Sequence, residues 1–236
     1  IVINKPVHLI GSLSATFTYT GAGGTAITIT GDAAKASIIE GIRLNNTGTG
    51  AVGIDIIAAD FVVLRDVVID TPTVAFSTAG IRIDASGADK PLGELLERVR
   101  IVAAGPIGID LLDTTNLAII KDSFINFNTN FGVRIGSVAT CFGVSIKDTN
   151  IEFNTNVGLE LVRVMNLKVR GNWFENDTAA GRINIRMNAA VAASSVTGVD
   201  IVGNYFQGSS VLTAAIAVTS AEEYYIYGNT FRNFTR

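Results

Sequence analysis

Apolar and polar residues alternate in a short phrase that returns along the whole chain. Each copy has a usually small residue followed by an apolar, a polar and an apolar residue, and successive copies begin 24 to 33 residues apart. The copies begin at Ala26, Gly53, Gly80, Gly108, Gly132, Gly158, Arg182 and Ala215. A period of this size is typical of a solenoid, in which each repeat buries its apolar face by stacking on its neighbours. The pattern therefore predicts an elongated repeat fold.

A second alternating phrase lies in each repeat. Its copies occupy residues 42–44, 67–69, 99–101, 123–125, 149–151, 172–174, 204–206 and 229–231. Alternation with period two indicates β-strands, and the helical spacing of i, i+3, i+4 is absent from almost every repeat. Clusters of Gly, Asn, Asp and Thr separate the phrases and favour turns. Each repeat is therefore predicted to hold at least two short strands joined by corners.

Two other repeat architectures fit the pattern less well. The chain lacks the asparagine-punctuated leucines and helical half of a leucine-rich repeat, and a propeller blade needs about 40 residues and four strands. A coil of roughly 25 residues fits, with each strand paired in parallel to its equivalent about 4.8 Å away. We predict an all-β, single-stranded right-handed parallel β-helix of about nine coils, with residues 1–236 in one domain. Stacked Asn172, Asn204 and Asn229 are predicted to form an amide ladder inside a corner.

Three repeats share the string Gly-Asn-x-Phe, at residues 171–174, 203–206 and 228–231. With these strings the chain resembles the right-handed parallel β-helix proteins related to pectate lyases, in which such rungs and internal asparagine ladders recur. Among these relatives it looks most like the shaft of a bacteriophage tailspike. That resemblance implies a homotrimer, an extracellular or virion-surface location, and cell-surface polysaccharide as partner. The Gly-His-Gly and Arg-Ile-Lys strings of polygalacturonate-cleaving relatives do not occur, so the resemblance implies no catalytic set.

The composition of the chain argues against two classes of binding partner. Of the 236 residues, 48% are hydrophobic and 17% charged, and the net charge is −3 with acids and bases interspersed. This balance lacks the basic patch that nucleic acid or an anionic membrane surface attracts, and the apolar runs are too short to span a membrane. We therefore predict no nucleic-acid and no membrane partner. Residues 189–193, Ala-Ala-Val-Ala-Ala, favour subunit association, because such a loop is better covered by another chain than by water.

Several classes of chemistry are excluded by residue counts. His8 is the one histidine and Cys141 the one cysteine, so a multi-histidine metal site, a serine triad and a disulfide framework are unavailable within one chain. We predict no metal and no cofactor, and expect Cys141 to fill core volume. Because the chain begins at Ile1 without a Met, we expect a fragment of a longer chain.

The polar position of the first phrase alternates in charge from repeat to repeat. It holds Asp55, Arg82, Asp110, Arg134, Glu160 and Asn184. Stacked one coil apart, these residues are predicted to form ion pairs on a solvated strand face and to oppose register slips. The alternative, a groove for an acidic ligand or calcium, is disfavoured because each carboxylate already has a guanidinium beside it.

The outward position of the second phrase places two acids in neighbouring coils without a base between them. Glu152 and Glu175 should repel, so that one carboxyl keeps its proton to a higher pH than usual. Retaining glycosidases need two carboxyl groups about 5 to 5.5 Å apart. We therefore take Glu152 and Glu175 as the candidate acid and nucleophile of a polysaccharide depolymerase, with hydrolase and lyase both open. The alternative is two solvated glutamates that point apart.

Aromatic and amide residues surround these acids on the predicted face. The candidate substrate-binding residues are Phe124, Asn150, Trp173, Tyr205, Asn126 and Gln207. Flat rings offer stacking surfaces for sugars, and amides bind hydroxyls. The same rings would equally suit a contact with another subunit. Two functional hypotheses follow: a β-helix that binds and hydrolyses cell-surface polysaccharide, or a non-catalytic structural or adhesive module of an oligomeric fibre.

Overall fold

The computed structural model describes residues 1–12, 15–31, 34–71, 74–84, 92–112, 116–176, 182–188, 195–208 and 214–234. Within these residues the chain forms thirty β-strands, nine in each of three sheets and three in a small fourth sheet. No helix in the described part of the chain is long and apolar enough to cross a membrane. Residues 189–193, predicted to contact another subunit, lie outside the described ranges.

The strands of each sheet come from successive coils. Sheet A contains β1 (Val2–Ile3), β4 (Thr25–Thr30), β7 (Val52–Ile57), β10 (Ala79–Asp84), β13 (Ile107–Leu111), β16 (Phe131–Ile135), β20 (Val157–Leu161), β24 (Ile183–Asn188) and β28 (Ala214–Ser220). Sheet B contains β2 (His8–Ile10), β5 (Ile38–Glu40), β8 (Val63–Arg65), β11 (Leu95–Glu97), β14 (Ile119–Lys121), β18 (Ser145–Lys147), β22 (Lys168–Arg170), β26 (Val199–Val202) and β29 (Tyr224–Tyr227). Sheet C contains β3 (Thr16–Tyr19), β6 (Arg43–Asn46), β9 (Val68–Asp70), β12 (Arg100–Val102), β15 (Phe124–Asn126), β19 (Asn150–Glu152), β23 (Trp173–Glu175), β27 (Tyr205–Gln207) and β30 (Thr230–Arg232). The fourth sheet contains β17 (Cys141–Phe142), β21 (Val164–Met165) and β25 (Val196–Thr197).

Every strand pairs in parallel with its equivalent one coil away. Ile81 of β10, for example, lies opposite Ile54 of β7 and Ile109 of β13. The predicted parallel β-helix and its coil number are therefore confirmed. The two sequence phrases correspond to sheets A and C, and sheet B supplies a third strand in each coil that the phrases do not mark.

The interior is a set of apolar columns that run through the coils. Ile54, Ile81 and Ile109 in sheet A are fully buried, and Phe174 and Phe206 in sheet C stack with ring centroids 5.1 Å apart. Each buried aliphatic or aromatic side chain contributes about 1.5 to 3 kcal/mol. Cys141 is buried within this core, as predicted. Stability therefore depends on neighbouring coils covering one another.

Steric contact between neighbouring coils explains why the first phrase begins with a small residue. A Cβ on Gly108 would lie 2.6 Å from the carbonyl oxygen of Gly132, and one on Gly132 would lie 2.6 Å from that of Gly158. A real Cβ does not approach a backbone oxygen so closely, so any side chain here would push coils apart. We call these stacked positions the glycine column: Gly53, Gly80, Gly108, Gly132 and Gly158.

The Gly-Asn-x-Phe string describes the corner between sheets B and C. Gly171 has a left-handed φ of 68°, Asn172 points into the corner, Trp173 faces out and Phe174 is buried. The Asn172 amide donates to Oδ1 of Asn204 at 2.9 Å, and Asn204 donates to Oδ1 of Asn229 at 3.0 Å. The predicted asparagine ladder therefore exists.

A second ladder lies in the next corner, between sheets C and A. Asn128 donates its amide to Oδ1 of Asn154 at 2.9 Å, and the backbone N–H of Asn154 donates to Oδ1 of Asn176 at 2.7 Å. All three asparagines are fully buried. Side-chain amides therefore satisfy backbone groups in two of the corners, because no strand ladder continues through a turn.

One buried acid interrupts the apolar interior. Glu94 is fully buried, and within the described part of the chain neither of its carboxyl oxygens has a hydrogen-bond partner. The equivalent residues of the neighbouring coils are Val62 and Ala118, which are also fully buried. Burial, with a smaller contribution from the charge of Asp60, raises the pKa of Glu94 to about 8. This side chain is therefore stable in the core only while it holds a proton.

Candidate functional site on the outer face of sheet C

Strand stacking brings all eight predicted site residues into two adjacent columns on the outer face of sheet C. The aromatic column contains, in register, Phe124, Asn150, Trp173 and Tyr205. The polar column contains, in the same coils, Asn126, Glu152, Glu175 and Gln207. Each polar-column residue lies two positions after its aromatic-column neighbour, so both side chains leave the same face of the strand.

Two neighbouring rings of the aromatic column stack and form one continuous surface. The rings of Trp173 and Tyr205 stack with centroids 4.2 Å apart and planes 23° apart, and Trp173 is 37% exposed. Phe124 is separated from this pair by Asn150, and the guanidinium of Arg100 lies 5.8 Å from the Phe124 ring centroid. The structure therefore unites two of the three predicted rings, whereas Phe124 is engaged by a cation.

The two acids of the polar column differ in their surroundings. Oε2 of Glu175 accepts a hydrogen bond of 3.1 Å from the indole Nε1 of Trp173. The pKa of Glu152 is raised, first by burial and then by the charge of Glu175, against the lowering effect of a hydrogen bond from Asn150. Burial and the neighbouring charge thus favour the protonated form of Glu152, while the indole N–H orients the side chain of Glu175.

Amides stand at both ends of the polar column. Asn126 is 4% exposed, and no residue in the described ranges donates a hydrogen bond to its Oδ1. Gln207 accepts a hydrogen bond of 3.2 Å from the Tyr205 hydroxyl. A buried carbonyl oxygen without a donor costs free energy, but a ligand hydroxyl does not reach this one while the side chain stays covered. Asn126 therefore stays a predicted substrate-binding residue whose side chain is covered in this structure.

Two further aromatic residues border the site and were missed in the sequence. Phe127 and Phe153 follow the polar column directly, and their rings stack 5.2 Å apart with planes 13° apart. Phe127 is 52% exposed, and both residues have left-handed φ angles, of 57° and 53°. The equivalent residue of the preceding coil, Ala103, has a left-handed φ of 50°, so this conformation belongs to the repeated corner that follows sheet C. The repeated string Phe-Asn-Thr-Asn, at 127–130 and 153–156, was the available signal.

The charged column of sheet A is built differently. Arg134 donates two hydrogen bonds to Asp110, of 3.0 Å and 2.6 Å, and Arg82 makes the same two contacts with Asp55. The predicted ion-pair ladder is therefore present. The prediction of a solvated face is wrong, because the aspartates are buried and shielded by the arginines.

The last position predicted for this ladder is also wrong. Glu160 lies opposite Arg186, whose Nε donates to Oε2 at 2.6 Å, rather than in line with Asn184. Asn184 occupies the position that glycine holds in the preceding coils, where its carbonyl oxygen approaches Gly158. With the register corrected, acid and base alternate through six coils. Among the described residues, no three His, Cys, Asp or Glu side chains lie close enough to hold a metal ion.

Comparison with known proteins agrees with the architecture. No protein-family model matches the chain, and neither does any curated protein sequence. Among solved structures, the chain is similar to the A-module of mannuronan C-5 epimerase AlgE6 from Azotobacter vinelandii, with a TM-score of 0.58, 13% identity, and coverage of 98% of this chain and 84% of that one. A weaker likeness is to tailspike protein 3 of bacteriophage CBA120, with a TM-score of 0.34, 12% identity, and coverage of 95% of this chain and 53% of that one. Another is to the catalytic domain of a GH87 α-1,3-glucanase in complex with nigerose, with a TM-score of 0.23, 10% identity, and coverage of 99% of this chain and 62% of that one. The chain therefore shares the parallel β-helix fold with the epimerase module.

Proposed function

We propose that the outer face of sheet C binds a polysaccharide. The observation that carries this proposal is the position of the polar column between two stacked aromatic pairs, Trp173 with Tyr205 and Phe127 with Phe153. Sugar rings stack their C–H faces on aromatic rings and hydrogen-bond through their hydroxyls. One solved structure that shares the fold is named as an epimerase of mannuronan, a polysaccharide.

We further propose that Glu152 and Glu175 hydrolyse the bound glycan. Glu152 gives its proton to the glycosidic oxygen as the bond from that oxygen to the anomeric carbon breaks, and a Glu175 carboxylate oxygen forms a bond to that carbon. Water then attacks the glycosyl-enzyme, Glu152 takes a proton from the water, and Glu175 is released. The raised pKa of Glu152 and the indole N–H bound to Glu175 support this division of roles.

The alternative role is a non-catalytic structural or adhesive module in a homotrimeric, tailspike-like fibre at an extracellular or virion surface. The exposed ring of Trp173 favours this reading, since aromatic residues are enriched at subunit interfaces as well as at sugar sites. In that case the rings of sheet C pack against another chain, and the glutamates are solvated at its rim.

A panel of bacterial polysaccharides distinguishes these roles. Binding is measured by affinity electrophoresis, and cleavage by reducing-end release together with the ultraviolet absorbance that a lyase product would show. The variants are Trp173→Ala, Glu152→Gln and Glu175→Gln. Tyr225→Ala, an exposed aromatic in sheet B, and Glu222→Gln, an exposed acid in the last coil, are matched controls.

We expect Trp173→Ala to weaken glycan binding at least tenfold, and each glutamate variant to abolish release while binding persists. Release that survives both glutamate substitutions would remove the catalytic assignment and leave the binding site. If no glycan binds and Trp173→Ala lowers the oligomeric state in sedimentation analysis, the structural role is correct.

A further inference from the structure

The outer face of sheet B carries a cluster of basic side chains in its middle coils. Lys121, Lys147 and Arg170 occupy one column, each directly opposite the next, and Lys168 lies beside Arg170 in the neighbouring column. We call these four residues the cationic strip. Lys147 and Lys168 are exposed.

The strip begins where an alternating pattern ends. In the earlier coils the same column holds Glu40, Arg65 and Glu97, and Arg65 donates to Glu97 at 2.8 Å and lies 3.5 Å from Glu40. Lys121 still pairs with Glu97 at 2.7 Å. Past this point, Lys147 has a lysine on one side and an arginine on the other. Like charges directly opposite on neighbouring strands are destabilising, so the change of pattern has a cost.

The acids near the strip lie at its ends, where Asp200 stands directly opposite Lys168 and Glu97 stands opposite Lys121. Arg170 pairs with Asp200 at 3.0 Å, as Lys121 does with Glu97. Over the described ranges, no carboxylate lies within 4 Å of the ammonium of Lys147 or of Lys168. Asp122 and Asp148 occupy the adjoining corner, and Oδ1 of Asp148 lies over the backbone of Gly171.

We propose that the cationic strip binds the acidic groups of a polyanionic polysaccharide. Its charges repeat once per coil, about 4.8 Å apart along the solenoid, which suits carboxylates or sulfates carried on successive sugars. Lysine presents a mobile point charge that neutralises such groups without needing a fixed orientation. This site adds to the one on sheet C and stands without it, because it involves different side chains on a different sheet.

Nucleic acid fits this surface less well than an acidic glycan. Single-stranded nucleic acid is bound by aromatic side chains that stack on bases within a long basic groove. The two outward columns of sheet B from Ile119 to Val202 contain no aromatic residue. The remaining feature, a short run of unneutralised ammonium groups, favours a repeating anion.

The test compares Lys147→Gln/Lys168→Gln with the unmodified chain. Lys5→Gln, an exposed lysine in the first coil, is the control for loss of charge, and Trp173→Ala is the control for sheet C. The probes are polygalacturonate, dextran sulfate, neutral dextran and a single-stranded oligothymidylate. Affinities are measured by calorimetry at low salt and near 0.15 M salt, where exposed charges more than about 8 Å apart are screened.

We expect the unmodified chain to bind at least one of the two acidic glycans, more tightly at low salt, and not to bind neutral dextran through this face. The double variant should lose at least tenfold in that affinity, whereas Lys5→Gln and Trp173→Ala should retain it. Its melting temperature should not fall, because the substitutions relieve repulsion. Equal affinity in the double variant, loss in Trp173→Ala alone, no binding of either acidic glycan, or tighter binding of the oligothymidylate would each overturn the assignment.

Discussion

The outer faces of sheets A and C share one backbone geometry and use it in opposite ways. On sheet A, acid and base alternate from coil to coil, and the acids are buried beneath their arginine partners. On sheet C, Glu152 stands opposite Glu175, and exposed rings border the pair. A stacked column whose charges cancel stabilises the solenoid, whereas one whose charges add retains a field that a ligand can neutralise. The order of charges along a column therefore separates a face that neutralises itself from one that keeps its charge.

The largest expected effect is on sheet A. Replacing Arg134 by Met leaves the fully buried carboxylate of Asp110 without its partner, and we expect a loss of about 3 to 5 kcal/mol in the free energy of unfolding. Urea denaturation measures this loss. Arg98→Met is the matched control, because Arg98 also donates two hydrogen bonds to an aspartate, Asp66, but in an exposed pair. Similar losses in both variants would show that burial does not distinguish the pairs.

Glu94 sharpens the comparison, because it is a buried acid that makes no ion pair with any residue that the structure describes. Its pKa of about 8 in the folded chain exceeds the ordinary value of 4.5, so the folded state holds a proton that the unfolded chain has lost. The free energy of unfolding should therefore fall as pH rises from about 4.5 to about 8, by about 3 kcal/mol at pH 7. Glu94→Gln should remove this slope in urea denaturation at several pH values. Parallel pH profiles would contradict the assignment.

The asparagine ladders in the corners are stabilised by uncharged amides, so they can be compared with the charged columns of both faces. Asn172→Ala would remove the bond to Asn204 and leave the N–H of Thr149 and the carbonyl of Ile146 unsatisfied in a buried corner. We expect a loss of about 2 to 3 kcal/mol, measured by urea denaturation. Asn156→Ala, which breaks a half-buried amide pair with Asn130, should cost less than about 1 kcal/mol. Equal losses would show that burial in the corner does not increase the contribution of the ladder to the free energy of unfolding.

The smallest effect concerns the like-charged pair itself. Glu175→Gln removes the charge that contributes to the raised pKa of Glu152, while burial, the larger cause, remains. The pKa of Glu152, followed by NMR titration of its carboxyl carbon, should fall and stay above the ordinary value. Glu222→Gln should leave it unchanged. A pKa that does not respond to Glu175→Gln would show that the two carboxyls do not interact.

The sequence alone was sufficient for the fold and for the membership of the sheet C columns, because inward and outward positions alternate with period two and the Gly-Asn-x-Phe string marks a corner. It failed at Asn184, because 182–185 and 184–187 both alternate, and a two-residue shift preserves which residues face inward. Only the pairing of Glu160 with Arg186 resolves that choice.

Other features had no sequence signal strong enough to predict them. Glu94 occupies an inward position that is apolar in the adjacent coils. Its polar side chain alone would predict an outward position. Phe127 and Phe153 lie just after their strands, where left-handed backbone turns the rings toward each other. Alternation of apolar and polar residues predicts which side chains face inward within a strand, but it predicts nothing about the residue where the strand ends.

The glycine column determines how this molecule can change in length. Each glycine leaves room for the carbonyl of the following coil, so a duplicated or deleted segment keeps this backbone contact only if it is made of whole coils. Because acid and base alternate on sheet A, the segment keeps the ion pairs only if it contains an even number of coils. A methyl group at one such position, by contrast, would strain two coils at once. The shortest segment that preserves both the glycine contacts and the alternation of charge is therefore a pair of turns.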